Sequence, residues 1–421
     1  MADGASQIAA EARARAYATP LADFHVGDPE LFRTDTHWAW FERLRAEDPV
    51  HYCQASDFGP YWSVTRFEDI VTVDGDHTTY SSSSELGGIA LGDSFEDPSG
   101  TSFISLDSPR HEDQRRVVSP MFASASIAAL EPLIRSRAAA ILDELPVGET
   151  FDFVEKVSVE LTGQMLATLL DFPFEERGLL PRASDLLLAA PILGGGSPAG
   201  EPARQAELMA TFAKMVGLWM ERAAAPPANN LISMLAHDPA TNGGGNPYKF
   251  IGNLVLLIVA GSDTTRHSIT GGLLALNEHP DQYAKLRANP NLIASMVPEI
   301  IRYQSPVAHM RRTATADAVL GGKTIKKGDK VVMWYVSGNR DASAIETPDA
   351  FIIDRERPRQ YVAFGFGVHR CVGQRLAEMQ LRVVWEEILK RFPLIEVMGA
   401  PRRLTSNFVK GYEYLPVRIP A

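Results

Sequence analysis

Apolar residues return every three or four positions through 127–145, 157–170, 204–223 and 248–277, the spacing that lines one face of an α-helix. The last stretch is the longest, and the polar step Ser262-Asp263-Thr264-Thr265 breaks its apolar face near the middle. Shorter runs at 50–52, 61–65, 318–320, 330–334 and 416–419 read as strands, the first two separated by the turn Phe58-Gly59-Pro60. Together these patterns predict a mainly α protein with a smaller β portion. Pro298 falls inside a further helical stretch, where its missing N–H predicts a kink or a restart. No linker rich in Pro, Gly or Ser divides the 421 residues, so 1–421 is expected to form a single domain, with 1–20 as a disordered N-terminal segment. Two segments mix glycine with apolar residues: 86–100, with Gly87, Gly88 and Gly92, and 186–200, with Gly194-Gly195-Gly196. They are expected to be either mobile covers over a ligand or ordinary surface loops.

Composition adds limits rather than chemistry. Hydrophobic residues at 45% and charged ones at 22% suffice for an ordinary core. A net charge of -11 argues against nucleic acid, which needs clustered Lys and Arg to displace counterions. Arg115, Arg116, Arg370, Arg375 and Arg382 form a local basic exception suited to docking an acidic partner. The start of the chain lacks the apolar centre of a signal peptide, and the longest apolar run, 254–260, is too short to span a bilayer. The expectation is a cytoplasmic monomer with no membrane span. Only two cysteines, Cys53 and Cys371, are present, too few for a disulfide framework or for iron–sulfur and zinc sites.

Cys371 nevertheless stands in a run built for metal: Phe364-Gly365-Phe366-Gly367-Val368-His369-Arg370-Cys371-Val372-Gly373. A sulfur that ligates haem iron must stay ionised, and glycines at 365, 367 and 373 would let backbone N–H groups approach it. His369 and Arg370 bring donors for the carboxylates of a macrocycle, and a helix beginning near Val372 would point its N-terminus at the thiolate. A structural cysteine in a turn packs as a small hydrophobe and requires none of this.

The run from Phe364 to Ala377 resembles the haem-binding signature of the cytochrome P-450 superfamily, the haem-thiolate monooxygenases. The resemblance implies that fold, with haem b held between a long central helix and the loop carrying Cys371 as axial ligand of the iron. Ala260-Gly261-Ser262-Asp263-Thr264-Thr265 is similar to a second motif of the family. Ala260, Gly261 and Thr264 share a helix face whose small side chains would admit a flat macrocycle, with Asp263 and Thr264 as an acid–alcohol proton relay. The Thr264 hydroxyl is expected to bond back to the Ala260 carbonyl and loosen the helix. Glu299 and Arg302, three apart, fall where the family has a buried ion network, completed by Arg355 or Arg357. His111, Arg115, Arg312 and His369 are the expected partners of the haem carboxylates, beside Phe364, Gly365 and Gly373 from the signature loop.

Further stretches resemble the bacterial alkane terminal hydroxylase branch of that superfamily. They include Asp35-Thr36-His37-Trp38, Phe58 through Val64, Asp171-Phe172-Pro173-Phe174, Met310-Arg311-Arg312-Thr313, Glu378 through Arg382 and Ser406-Asn407-Phe408-Val409. Departures occur at Ser262, His267 and Tyr361. The resemblance implies terminal hydroxylation of medium-chain n-alkanes, fatty acids or primary alcohols with O2. No flavin or nicotinamide fingerprint is present, so electrons are expected from a 2Fe-2S ferredoxin and its NAD(P)H-dependent reductase. A small hydrophobic substrate would need an apolar pocket, with Ile89, Leu91, Val307, Ala308, Met310, Phe408 and Val409 as its walls. His309 is equally suited to a substrate hydroxyl or a backbone carbonyl. A terpene or other small ring as substrate, a peroxide-driven oxygenase and a haem sensor without catalysis remain open.

Overall fold

The computed structural model describes residues 2–93, 102–191 and 201–421. The expected covers therefore fall partly outside the described residues, at 94–101 and 192–200.

Helices dominate, and the longest, Pro247–Glu278, runs unbroken through the polar step at 262–265. It is central because both its apolar and its small residues meet neighbours. Helices Glu160–Leu170, Leu179–Leu188, Ile293–Gln304 and Gln374–Arg391 all pack on it. Leu254, Ile258, Ile269 and Leu273 are buried in the main core. Thr264 Oγ1 donates to the Ala260 carbonyl at 2.8 Å, as expected, yet the helix does not open there. The i−4 carbonyl is shared without losing the turn.

The predicted strands at 50–53, 61–64, 318–320, 330–333 and 416–418 form. In the five-stranded sheet, Val50–Cys53 pairs antiparallel with Tyr61–Val64, which runs parallel to Lys330–Met333. Met310–Ala314 pairs antiparallel with Lys330–Met333 and carries Tyr80–Ser81 at the edge. This places Arg312 between the sheet and the helical core.

Two expectations are corrected. Instead of being disordered, the start of the chain forms helix Ala2–Ala18, whose Ala12 and Ala16 are buried where it packs on helix Trp38–Glu47. Alanine has the highest helix propensity and buries without side-chain entropy, which the scarcity of large apolar residues in the segment, Ile8 and Tyr17 alone, concealed. Pro298 does not restart its helix, which runs without a break from Ile293 to Gln304. Pro298 lies in the second turn, so the ring costs one backbone hydrogen bond near an end that the turn Pro290–Leu292 already precedes.

That helix buries an ion network. Both Glu299 and Arg302 are 0% exposed and are joined by two bonds of 2.7 Å. Arg355 donates to the same carboxylate at 3.0 and 3.2 Å, and the Ile352 N–H adds a bond of 2.9 Å. Arg302 also donates to the carbonyls of Asn339, Pro348 and Ala350, tying the helix to the loop before the cysteine run. Arg355, not Arg357, occupies the third place. Among the described residues no single helix is long and apolar enough to cross a membrane.

Candidate active site

A cavity of about 160 Å³ lies between the central helix and the cysteine loop. Leu256, Leu257, Ala260, Thr264 and Ser268 line one side, and Phe364, Gly365, His369, Cys371 and Val372 the other. The loop reaches it because Gly365 and Gly367 adopt φ of 67° and 63°, turning the chain back before the short helical turn Gly367–His369. The Cys371 N–H then closes on the Phe364 carbonyl at 2.9 Å, and helix Gln374–Arg391 begins three residues on. Burial pushes the thiol pKa up, while the N–H groups of Gly373 and Gln374 and the charge of Arg115 pull it back. The sulfur side chain opens on the cavity. Among the described residues no three His, Cys, Asp or Glu side chains converge to hold a bare ion. A metal at Cys371 must therefore bring most of its own ligands.

The cavity rim suits the carboxylates of such a group. His111, Arg115, Arg312 and His369 all line it. His111 and His369 rings meet at 4.1 Å, and both His111 nitrogens are buried without a partner. Burial, followed by the positive charges of Arg312, His111 and Arg115, drives the His369 pKa far down. The His111 pKa is lowered, mainly by burial. Arg115 donates to the Arg370 carbonyl and Glu112 lies 3.7 Å from His111 Nδ1, and carboxylates would engage the donors these leave over. Arg312 is already half engaged, since its Nη2 donates to Asp74 at 2.7 Å. The cavity, thiol and donor set fit a haem.

The other expected residues divide. Ala260 borders the cavity, but Gly261 does not. A Cβ at Gly261 would lie 2.7 Å from Leu166 Cδ2, so that glycine serves helix packing. Gly373 sits beside the sulfur, and an added Cβ would be 3.9 Å from it, which is ordinary contact. Thr264 lines the cavity; its neighbour Asp263 is 0% exposed and faces helix Leu179–Leu188. Ser184 Oγ donates to Asp263 Oδ2, and Arg266 lies 2.6 Å from Oδ1 while also pairing with Asp185. Burial raises the Asp263 pKa to about 6 against the opposing charge of Arg266.

Of the seven proposed wall residues, Val307 and Met310 line the cavity. Ile89, Phe408 and Val409 form a small apolar cluster that touches Met310 and stands behind it. Leu91 and Ala308 are corrected: both are buried in the aromatic cluster of Phe32, Phe41 and Trp334. Apolar character marked them, and a core takes apolar residues as readily as a pocket does. His309 belongs to the same layer, its Nδ1 2.8 Å from the Asn407 carbonyl and its ring 4.8 Å from Trp334. Burial lowers its pKa to about 4. Sequence reasoning missed Ile104, Leu256 and Leu257 as walls. The two leucines lie one turn before Ala260, a spacing that could have flagged them.

A family model described as cytochrome P-450 matches residues 246–410. Linalool 8-monooxygenase of Pseudomonas putida is 38% identical over 405 residues, 93% of this chain and 97% of that protein. Cytochrome P-450-153 from Novosphingobium aromaticivorans is 40% identical, with a TM-score of 0.86 over 93% of this chain and 98% of its own. CYP153D17 from Sphingomonas sp. PAMC 26605 is 44% identical, with a TM-score of 0.88 over 96% of this chain and 100% of its own. With a thiol loop, a donor-rich rim and a central helix arranged about one cavity, the chain belongs to the cytochrome P-450 family and is a haem-thiolate monooxygenase.

Proposed function

We propose that this monooxygenase hydroxylates the terminal carbon of medium-chain n-alkanes or related aliphatic chains, fatty acids and primary alcohols included. It would use haem b, O2 and electrons from a 2Fe-2S ferredoxin with an NAD(P)H-dependent reductase. The observation that carries this reading is the apolar wall opposite the thiol, made by Ile104, Leu256, Leu257, Val307 and Met310. The stretches similar to the alkane hydroxylase branch and the 40% and 44% identities to the two 153-type structures support it.

When bound, haem supplies one-electron chemistry and O2 activation, and a thiolate ligand favours O–O cleavage. The protein's part is positional. Cys371 would hold the iron, while His111, Arg115, Arg312 and His369 would receive the carboxylates. Thr264 holds a proton at its hydroxyl on the cavity face, and Asp263 behind it, with its pKa raised to about 6, can take up and release one. The apolar wall excludes water and presents one end of a chain, which a methyl needs because its C–H bond offers no polar handle.

A graded panel of n-alkanes, fatty acids and monoterpenes, assayed with ferredoxin, reductase and NADH and with product positions identified, tests the proposal. Terminal alcohols from alkanes are the expected result; mainly in-chain alcohols would count against it. The likeness to linalool 8-monooxygenase favours a second reading, an acyclic terpene alcohol, which the same panel separates.

Asp263 gives a second test. Its carboxyl holds a proton more tightly in the folded chain than in the unfolded one, so stability falls as pH rises from about 4 to about 6 and stays lower above that. Asp263→Asn is expected to raise stability at pH 7 by about 1–3 kcal/mol in urea unfolding. Turnover should fall about 10- to 100-fold with peroxide released in place of product. Undiminished coupling would remove Asp263 from the relay.

A further inference from the structure

Asp74 touches three parts of the site at once. It lies at the end of helix Phe67–Gly75, 2% exposed, where Ile70 and Val73 of the same helix pack against Tyr335 and Val362. Its Oδ1 accepts from Arg312 Nη2 at 2.7 Å. Its Oδ2 accepts from the Tyr335 hydroxyl at 2.8 Å and from the backbone N–H of Phe366, inside the cysteine loop, at 2.7 Å.

The loop is shaped around this carboxylate. A Cβ on Gly365 would stand 3.1 Å from Asp74 Oδ2, and one on Gly367 would stand 2.4 Å from the Asp74 carbonyl. Both positions also have positive φ. The two glycines thus answer to Asp74 rather than to the sulfur six and four residues on, and any side chain there would push the loop off its seat.

Charge is the second consequence. Arg312 projects a full positive charge to the cavity rim, and Asp74 is its buried counter-ion. We infer that Asp74 is a positioning residue that seats the thiolate loop, neutralises Arg312 and thereby holds down the reduction potential of the iron bound by Cys371. The inference rests on Cys371 being the iron ligand. Reduction by the redox partner adds one electron to the iron, and a buried negative charge nearby opposes it.

Asp74→Asn is nearly isosteric and keeps an acceptor for the Phe366 N–H, but leaves Arg312 without its counter-ion. The midpoint potential should rise by an amount equal to about a tenfold change in the ferric-to-ferrous ratio, or 59 mV for a one-electron couple. The thiolate-type ferrous–CO band should persist. Tyr335→Phe keeps the carboxylate and removes one of its three donors, so the midpoint should move the other way and by less. An unchanged midpoint in Asp74→Asn with the band intact would overturn the inference and leave the Cys371 assignment standing. Lack of the band in the unaltered protein would instead overturn that assignment. If Asp74→Asn takes up no haem, Tyr335→Phe decides: a fall supports the inference, and no shift or a rise overturns it.

Discussion

Cys371→Ala should remove the thiolate-type ferrous–CO absorption and lower substrate oxygenation by more than about 10³-fold, the scale expected when the one indispensable group of a catalytic unit is lost. The reason is local and chemical. Cys53 is buried in strand Val50–Cys53 and does not line the cavity, so it cannot substitute. The loop itself should survive, because its closure uses backbone atoms, the Cys371 N–H to the Phe364 carbonyl and the Phe366 N–H to Asp74. Urea unfolding without haem should therefore differ from the unaltered chain by less than about 1 kcal/mol. Persistence of the thiolate band in the variant would mean that another residue ligates iron.

Glu299→Ala is expected to cost about 3–5 kcal/mol of stability, enough to leave a marginal fold largely open. The carboxylate is the shared acceptor of Arg302 and Arg355, and its loss strands two buried guanidinium groups and the Ile352 N–H together. Such a loss exceeds that of an exposed i,i+3 pair because water cannot re-solvate the orphaned charges. Arg357 is exposed, so Arg357→Ala should stay within about 0.5 kcal/mol. Equal losses in the two variants would show that the buried network does not anchor the fold; thermal unfolding read by circular dichroism makes the comparison.

Chemistry concentrated in a few neighbouring residues was readable from the sequence. The cysteine run gathers thiol, turn and donors within ten positions, and the Ala260–Thr264 bond follows from helical spacing alone. Pairs distant along the chain were not, except where the family resemblance named them, as for Glu299 and Arg355. Nothing in the sequence joins Asp74 to Phe366 or Asp263 to Ser184, since those contacts exist only after packing chooses which helices touch. Direction was the other blind spot. Leu91 and Ala308 are as apolar as Val307 and Met310, and only the aromatic cluster around Trp334 shows which way they turn. The strand Met310–Ala314 was likewise obscured by Arg311, Arg312 and Thr313, whose polar ends are satisfied by Asp93, Asp74 and the Leu86 carbonyl.

The division within residues 307–310 also bears on how this chain can diversify. Val307 and Met310 border the cavity and are only partly buried, whereas Ala308 and His309 are wedged at 0% exposure against the aromatic layer. Substitutions at the outer two positions alter pocket shape while the packing beneath is spared, and substitutions at the inner two disturb the fold without reaching a substrate. Descendant lineages adapting to longer or bulkier molecules should therefore vary at 307 and 310 first. Positions 308 and 309 should change late, and in concert with Trp334.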